Sequence, residues 1–169
     1  VMNQKMVDFI AKECYEGAPF RHIHGAGRDY PWMKEELLRR GLKLGDNGVE
    51  VREYIYDMPY RMAAADVIIS RAGAITISEL ARQGKAAILI PSPNVTDDQQ
   101  TKNAKALEDI GGAIMIREPD LKDGRICSEV ASLLNDAEKR ANMEKSIMGF
   151  APLDSNKLIY DELIRLAGK

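Results

Sequence analysis

Apolar residues recur at helical spacing from the start of the chain: Met2, Met6, Val7, Ile10 and Cys14 predict an amphipathic helix over 2–15. An extended run over 20–24, closed by Gly25 and Gly27, predicts a strand and a turn. A second helical pattern covers 31–40, and Gly41, Gly45, Asn47 and Gly48 mark the turn behind it. Residues 49–55 alternate as a strand does, and 58–65 read as a short helix. Val67-Ile68-Ile69-Ser70 is a strand, 75–82 a helix stopped by Gly84, and 86–90 a strand broken by Pro91-Ser92-Pro93. A helix over 97–110, a strand over 113–116 and helices over 121–135, 137–148 and 155–166 complete the chain. The last follows Pro152 and carries Leu158, Ile159, Leu163, Ile164 and Leu166.

Strand and helix alternate, and the central strands are continuous apolar runs, as a parallel sheet covered on both faces requires. The expected fold is α/β, a doubly wound, Rossmann-like parallel sheet forming one domain over 1–169. The pattern opens inside a helix, so the fold is expected to lack its first strand, as a piece of a longer protein would. In such sheets ligands bind beyond the carboxyl ends of the strands.

Composition narrows the function classes. Charge is balanced at 24 basic against 26 acidic residues, spread along the chain, which argues against a nucleic-acid partner. Cys14 and Cys127 stand far apart without a C-x-x-C partner, suiting reduced packing thiols in a cytosolic protein. No apolar run is long enough to span a bilayer, so any membrane contact is expected to be peripheral. His22 and His24 alternate on one strand and are read as pointing to opposite faces, which would exclude a metal pair; no metal site is expected.

Four loops at strand ends should converge: His24-Gly25-Ala26-Gly27, Glu53-Tyr54-Ile55, Ser70-Arg71-Ala72-Gly73-Ala74, and Pro91-Ser92-Pro93-Asn94 leading to Gln99-Gln100. Small residues pass directly from the third strand into a helix start, where free amides and the positive dipole end suit a phosphate or sugar hydroxyl. Two readings stay open for Glu79. It completes capping-box spacing with Thr76, or its carboxylate accepts both hydroxyls of a ribose. Gln99 has the same spacing from Thr96, whereas Gln100 has no capping partner. Arg71 is either a cation for a diphosphate or one half of a structural salt bridge.

The run from Ala65 to Leu80, continued by Ile88-Leu89-Ile90-Pro91-Ser92-Pro93 and by Asp98-Gln99-Gln100-x-x-Asn103-Ala104, resembles the MurG family of UDP-N-acetylglucosamine:lipid-linked muramoyl-pentapeptide N-acetylglucosaminyltransferases. The resemblance extends over nearly the whole chain and is strongest between Tyr54 and Ile116. It implies the carboxyl-terminal, donor-binding half of a two-domain GT-B enzyme, which transfers N-acetylglucosamine to lipid I to form lipid II by inverting displacement. By position in the family's motifs, Ile55 would meet the uracil through its backbone, with Tyr54 beside it. Glu79 would hold the ribose. Gly73, Ala74 and Ile75 would offer backbone, Thr76 would lie by the phosphates with Arg71 near, and Gln99 and Gln100 would bind sugar hydroxyls.

The same resemblance implies UDP-N-acetylglucosamine as donor with no cofactor, and a lipid-linked acceptor bound by another domain that also carries the catalytic base. It further implies a cytoplasmic location, peripheral on the inner membrane face, and a helix over 153–169 that packs back toward the amino-terminal domain. The family's G-G-S-x-G-A loop is not among these residues, so this chain alone is not expected to transfer sugar. The competing readings are a dolichol-type or other lipid-linked transferase, a non-catalytic nucleotide-sugar module, and a UDP-sugar epimerase.

Overall fold

The computed structural model describes residues 1–13, 20–45, 48–122, 124–150 and 154–168. Five strands and eight helices alternate along it: α1 (Met2–Glu13), β1 (His22–Gly25), α2 (Tyr30–Arg39), β2 (Val49–Arg52), α3 (Met58–Ala64), β3 (Ile68–Ser70), α4 (Ala74–Gln83), β4 (Ala87–Leu89), α5 (Gln99–Asp109), β5 (Ile114–Met115), α6 (Arg125–Asn135), α7 (Ala137–Met148) and α8 (Ser155–Leu166). Every predicted element is present, and α7 and α8 have the bounds read from the sequence. The helix expected over 121–135 starts only at Arg125, behind a 3-10 turn at Glu118–Asp120. Cys14 lies outside the described residues. Cys127 is a free, half-buried thiol, and burial pushes its pKa up.

All strand pairing is parallel, as the apolar runs require, but it falls into two pieces: β1 pairs with β2, and β3-β4-β5 form a second sheet. β4 shows why its sequence is apolar throughout. Ala86, Ile88 and Ile90 join the core under α1, α2 and α6, while Ala87 and Leu89 join the core under α4, α5 and α7. Burying residues of both parities leaves no polar position available. β3, which ends on the polar Ser70, is only half-buried. Its edge away from β4 and the edge of β1 away from β2 both line one cavity of about 1990 Å³. Taking β2-β1 and β3-β4-β5 as strands 3-2 and 4-5-6 of the doubly wound order, this gap is the position of strand 1.

One expectation about β1 is corrected. His22 and His24 are two residues apart, and residues two apart on a strand share a face, because successive side chains alternate. Their rings stack at 5.9 Å, with Phe9 of α1 edge-on to His22 at 5.7 Å. His24 Nε2 meets Asn3 Oδ1 at 3.0 Å, while Asn3 Nδ2 donates to Ala26 O at 3.0 Å and to Asp29 Oδ2 at 2.8 Å. Asn3 thereby ties the start of α1 to the end of β1. No partner among the described residues reaches His22 Nε2. Burial, and for His22 also the neighbouring ring, lowers the pKa of His22 to about 3 and of His24 to about 4. Both rings are neutral at physiological pH. No group of three or more His, Cys, Asp or Glu side chains poised for a metal occurs among the described residues.

Candidate functional site at the strand ends

The loops that leave the carboxyl ends of the strands meet at one end of the cavity. β1 and β2 continue their ladder beyond the strands, with Ala26 N donating to Arg52 O at 2.8 Å and Gly27 N to Glu53 O at 3.0 Å. This pairing sets the path of Tyr54-Ile55. Ile55 turns inward, 6% exposed, and lies against Gly25, where an added Cβ would sit 3.5 Å from Ile55 Cδ1. Tyr54 turns outward, 66% exposed, and contacts Tyr56 with ring centroids 4.9 Å apart. The two neighbours thus serve different surfaces: Ile55 lines the large cavity, and Tyr54 a shallow hollow of about 730 Å³ beside Arg28 and Tyr30.

Across the cavity, β3 runs through Arg71-Ala72-Gly73 into α4, whose first helical residue is Ala74. Gly73 is the N-cap, in extended conformation and without a side chain to accept from the first-turn amides. Thr76 is therefore the third helical residue and Glu79 the sixth, which removes the capping-box reading of this pair, since that motif needs its hydroxyl at the N-cap. Glu79 is exposed on the rim with Thr76, Gly25 and Ile55, and its side chain makes no hydrogen bond or ion pair among the described residues. Ala74 and Ile75 are exposed, Ile75 at 77%, so a ligand can approach the first turn's backbone.

The second capping-box reading is corrected for the same reason. Residues Thr96–Asp98 form a 3-10 turn, α5 starts at Gln99, and its N-cap is Asp98. Asp97 and Asp98 both take positive φ, at 55° and 49°, which is uncommon for non-glycine residues in sequence and less costly for Asp than for bulkier side chains. Gln99 is exposed. Gln100 is half-buried, and its Oε1 accepts from Ser92 N at 2.9 Å.

Arg71 has the surroundings of the salt-bridge alternative. Its Nη1 donates to the carbonyls of Ile90 (3.1 Å) and Pro91 (3.2 Å), and its Nη2 to Glu118 Oε1 at 2.5 Å. One guanidinium so joins the loops after β3, β4 and β5, reinforced by Asn103 Nδ2 donating to Ala72 O at 3.1 Å. Glu118 was not anticipated. The rule that pointed to the other loops, a polar residue just past the carboxyl end of a strand, applies to it after β5. Of the sequence-derived candidates, Ile55, Arg71, Thr76 and Glu79 line the cavity. Tyr54, Gly73, Ala74, Ile75, Gln99 and Gln100 lie on the loops and helix starts around it.

The profile of the Glycosyltransferase family 28 C-terminal domain matches residues 2–157. A UDP-N-acetylglucosamine--N-acetylmuramyl-(pentapeptide) pyrophosphoryl-undecaprenol N-acetylglucosamine transferase of Shewanella halifaxensis is 37% identical over 173 aligned positions, covering 99% of this chain and 47% of that protein. A protein of the same name from Flavobacterium psychrophilum is 44% identical over 122 positions, covering 72% of this chain and 33% of its own length. The chain spans about half the length of the curated relatives it matches, or less. Among solved structures, Acinetobacter baumannii MurG superposes with a TM-score of 0.80 at 25% identity, covering 97% of this chain and 48% of that one. The glycosyltransferase VinC, solved in complex with dTDP, shares the fold, with a TM-score of 0.69 at 18% identity over 96% of this chain and 37% of its own.

Proposed function

Because this chain belongs to the glycosyltransferase family 28 C-terminal domain family, we propose that its strand-end crevice binds UDP-N-acetylglucosamine and serves as the donor half of an inverting N-acetylglucosaminyltransferase acting on a lipid-linked muramoyl-pentapeptide. The observation that carries this reading is Glu79: an exposed carboxylate without cap or ion-pair duty, on the rim of the cavity that Ile55 lines from the opposite side. Such a carboxylate accepts the two hydroxyls of a ribose. A uracil then falls near Ile55, whose backbone supplies its hydrogen bonds, and the diphosphate near Thr76 and the uncapped first turn of α4.

The first-turn amides hold negative charge by partial charge and dipole. As the acceptor hydroxyl displaces UDP from the anomeric carbon, charge grows on the diphosphate, and pre-oriented N–H groups stabilise it without a metal ion or cofactor. The acceptor site and the base belong to the amino-terminal half of the proposed enzyme, located at the inner membrane face. The face of α8 carrying Leu158, Ile159, Leu163 and Leu166, each 59–68% exposed, packs against that half in this reading.

Calorimetric titration with UDP, UDP-N-acetylglucosamine and UDP-glucose tests the reading. The expected outcome is saturable UDP binding that weakens 10- to 100-fold in Glu79→Ala, as loss of charge-assisted hydrogen bonds entails. An N-acetylglucosamine preference is expected to be lost in Gln100→Ala. If a chain extended to the full natural polypeptide binds none of the three ligands, the proposal is wrong.

A further inference from the structure

We infer that Glu118 is a positioning residue for sugar recognition: through Arg71 it fixes the loop after β4, and that loop aims the Gln100 amide. This inference rests on the donor-site reading above and names a residue outside the crevice that its selectivity depends on. The chain of contacts is continuous. The Glu118 carboxylate, whose side chain is 14% exposed, takes Arg71 Nη2 at 2.5 Å. The other terminal nitrogen of the same rigid fork holds the carbonyls of Ile90 and Pro91. The next backbone amide, Ser92 N, donates to Gln100 Oε1 at 2.9 Å.

Chemistry fixes the amide's orientation. A backbone N–H can only donate, so the Gln100 atom facing Ser92 is the oxygen and the remaining end is the NH₂. The end of Gln100 left for a ligand is therefore a donor, suited to an oxygen acceptor such as a sugar hydroxyl. Its neighbour Gln99, exposed and without a side-chain partner among the described residues, has no such preset orientation. Neutralising Glu118 leaves Arg71 without its anionic anchor, frees the guanidinium to swing, and releases the Pro91-Ser92 segment from its register. Of the proposed nucleotide contacts, those of Ile55 and Glu79 lie outside this relay, and the start of α4, which follows Arg71 directly, is held at Ala72 O by Asn103 Nδ2 independently of Glu118.

The experiment compares Glu118→Gln, Glu118→Asp and Ser92→Pro with the parent in the full natural polypeptide, measuring Kd for UDP, UDP-N-acetylglucosamine and UDP-glucose. Glu118→Gln is expected to leave UDP affinity within twofold and to reduce the preference for N-acetylglucosamine about tenfold, the worth of one well-aimed hydrogen bond. Glu118→Asp restores part of the preference. Ser92→Pro, which removes the N–H facing Gln100 and with it the hydroxyl that accepts from Asn94 N, breaks the last contact of the relay and reproduces the selective loss, while Glu118→Asp reads the first contact should Glu118→Gln fail to fold. An unchanged preference in Ser92→Pro, or an equal fall for UDP and UDP-N-acetylglucosamine in Glu118→Gln, overturns the inference. A parent that binds UDP without sugar preference overturns the inference and leaves the nucleotide reading standing; a parent that binds neither ligand overturns both.

Discussion

Acidification from pH 7.5 to pH 5 should destabilise this chain by about 4 kcal/mol, because its two histidines are held neutral. Each has a folded pKa below its ordinary value of 6.5, about 3 for His22 and about 4 for His24. Unfolding exposes rings that take up protons as pH falls below 6.5, while the folded rings stay uncharged until pH 4 or lower. The unfolded state thus binds more protons across the window, and stability rises with pH. At pH 5 an exposed imidazole gains about 2 kcal/mol from protonation, a value that depends little on the folded pKa once that lies at 4 or below. Urea unfolding followed by far-UV circular dichroism at pH 7.5, 6.5, 5.8 and 5 reads this slope. His24→Gln, which keeps an amide able to reach Asn3, should halve it. A loss below about 1 kcal/mol over the window would mean that the rings are solvated through the cavity they line, and the reasoning from burial would fail.

Two further outcomes follow from packing. Gly112→Ala should cost about 1–3 kcal/mol, since the new Cβ would stand 3.1 Å from the Cα of Ile147, backbone that cannot turn aside as a side-chain end can; thermal unfolding checks it, and a neutral result would show that α7 can shift. Leu163→Asp on the open face of α8 should leave the stability of this chain within about 0.5 kcal/mol. In the full polypeptide it should speed proteolysis between the two proposed domains, and an unchanged rate there would count against α8 as a docking helix.

Much of the fold was legible because its signals are local. The apolar runs before Ser70 and Pro91 gave β3 and β4, and Gly84, at φ 60°, stopped α4. The errors share a cause. Thr76 with Glu79 and Thr96 with Gln99 satisfy a spacing rule, but where a helix begins depends on the backbone before it. Gly73 in extended conformation, and Asp97 with Asp98 in left-handed conformation, moved both helix starts away from the threonines. The histidines were misassigned in phase: on a strand the period is two, so neighbours but one stay together. Glu118 was invisible for another reason, being 47 residues from Arg71 and joined to it only by the parallel order of β3, β4 and β5.

The break between β1-β2 and β3-β4-β5 has a mechanical meaning. Ile55 hangs from the first piece and Glu79 from the second, and no backbone ladder among the described residues joins the two; side chains of α1, α2 and α6 do so instead. The gap between them is the place of strand 1, so in a sheet with that strand filled the distance from Ile55 to Glu79 is set by two ladders instead of by side-chain packing alone. A ligand gripping both walls would then bridge a span that the intervening strand, and not the ligand, holds fixed.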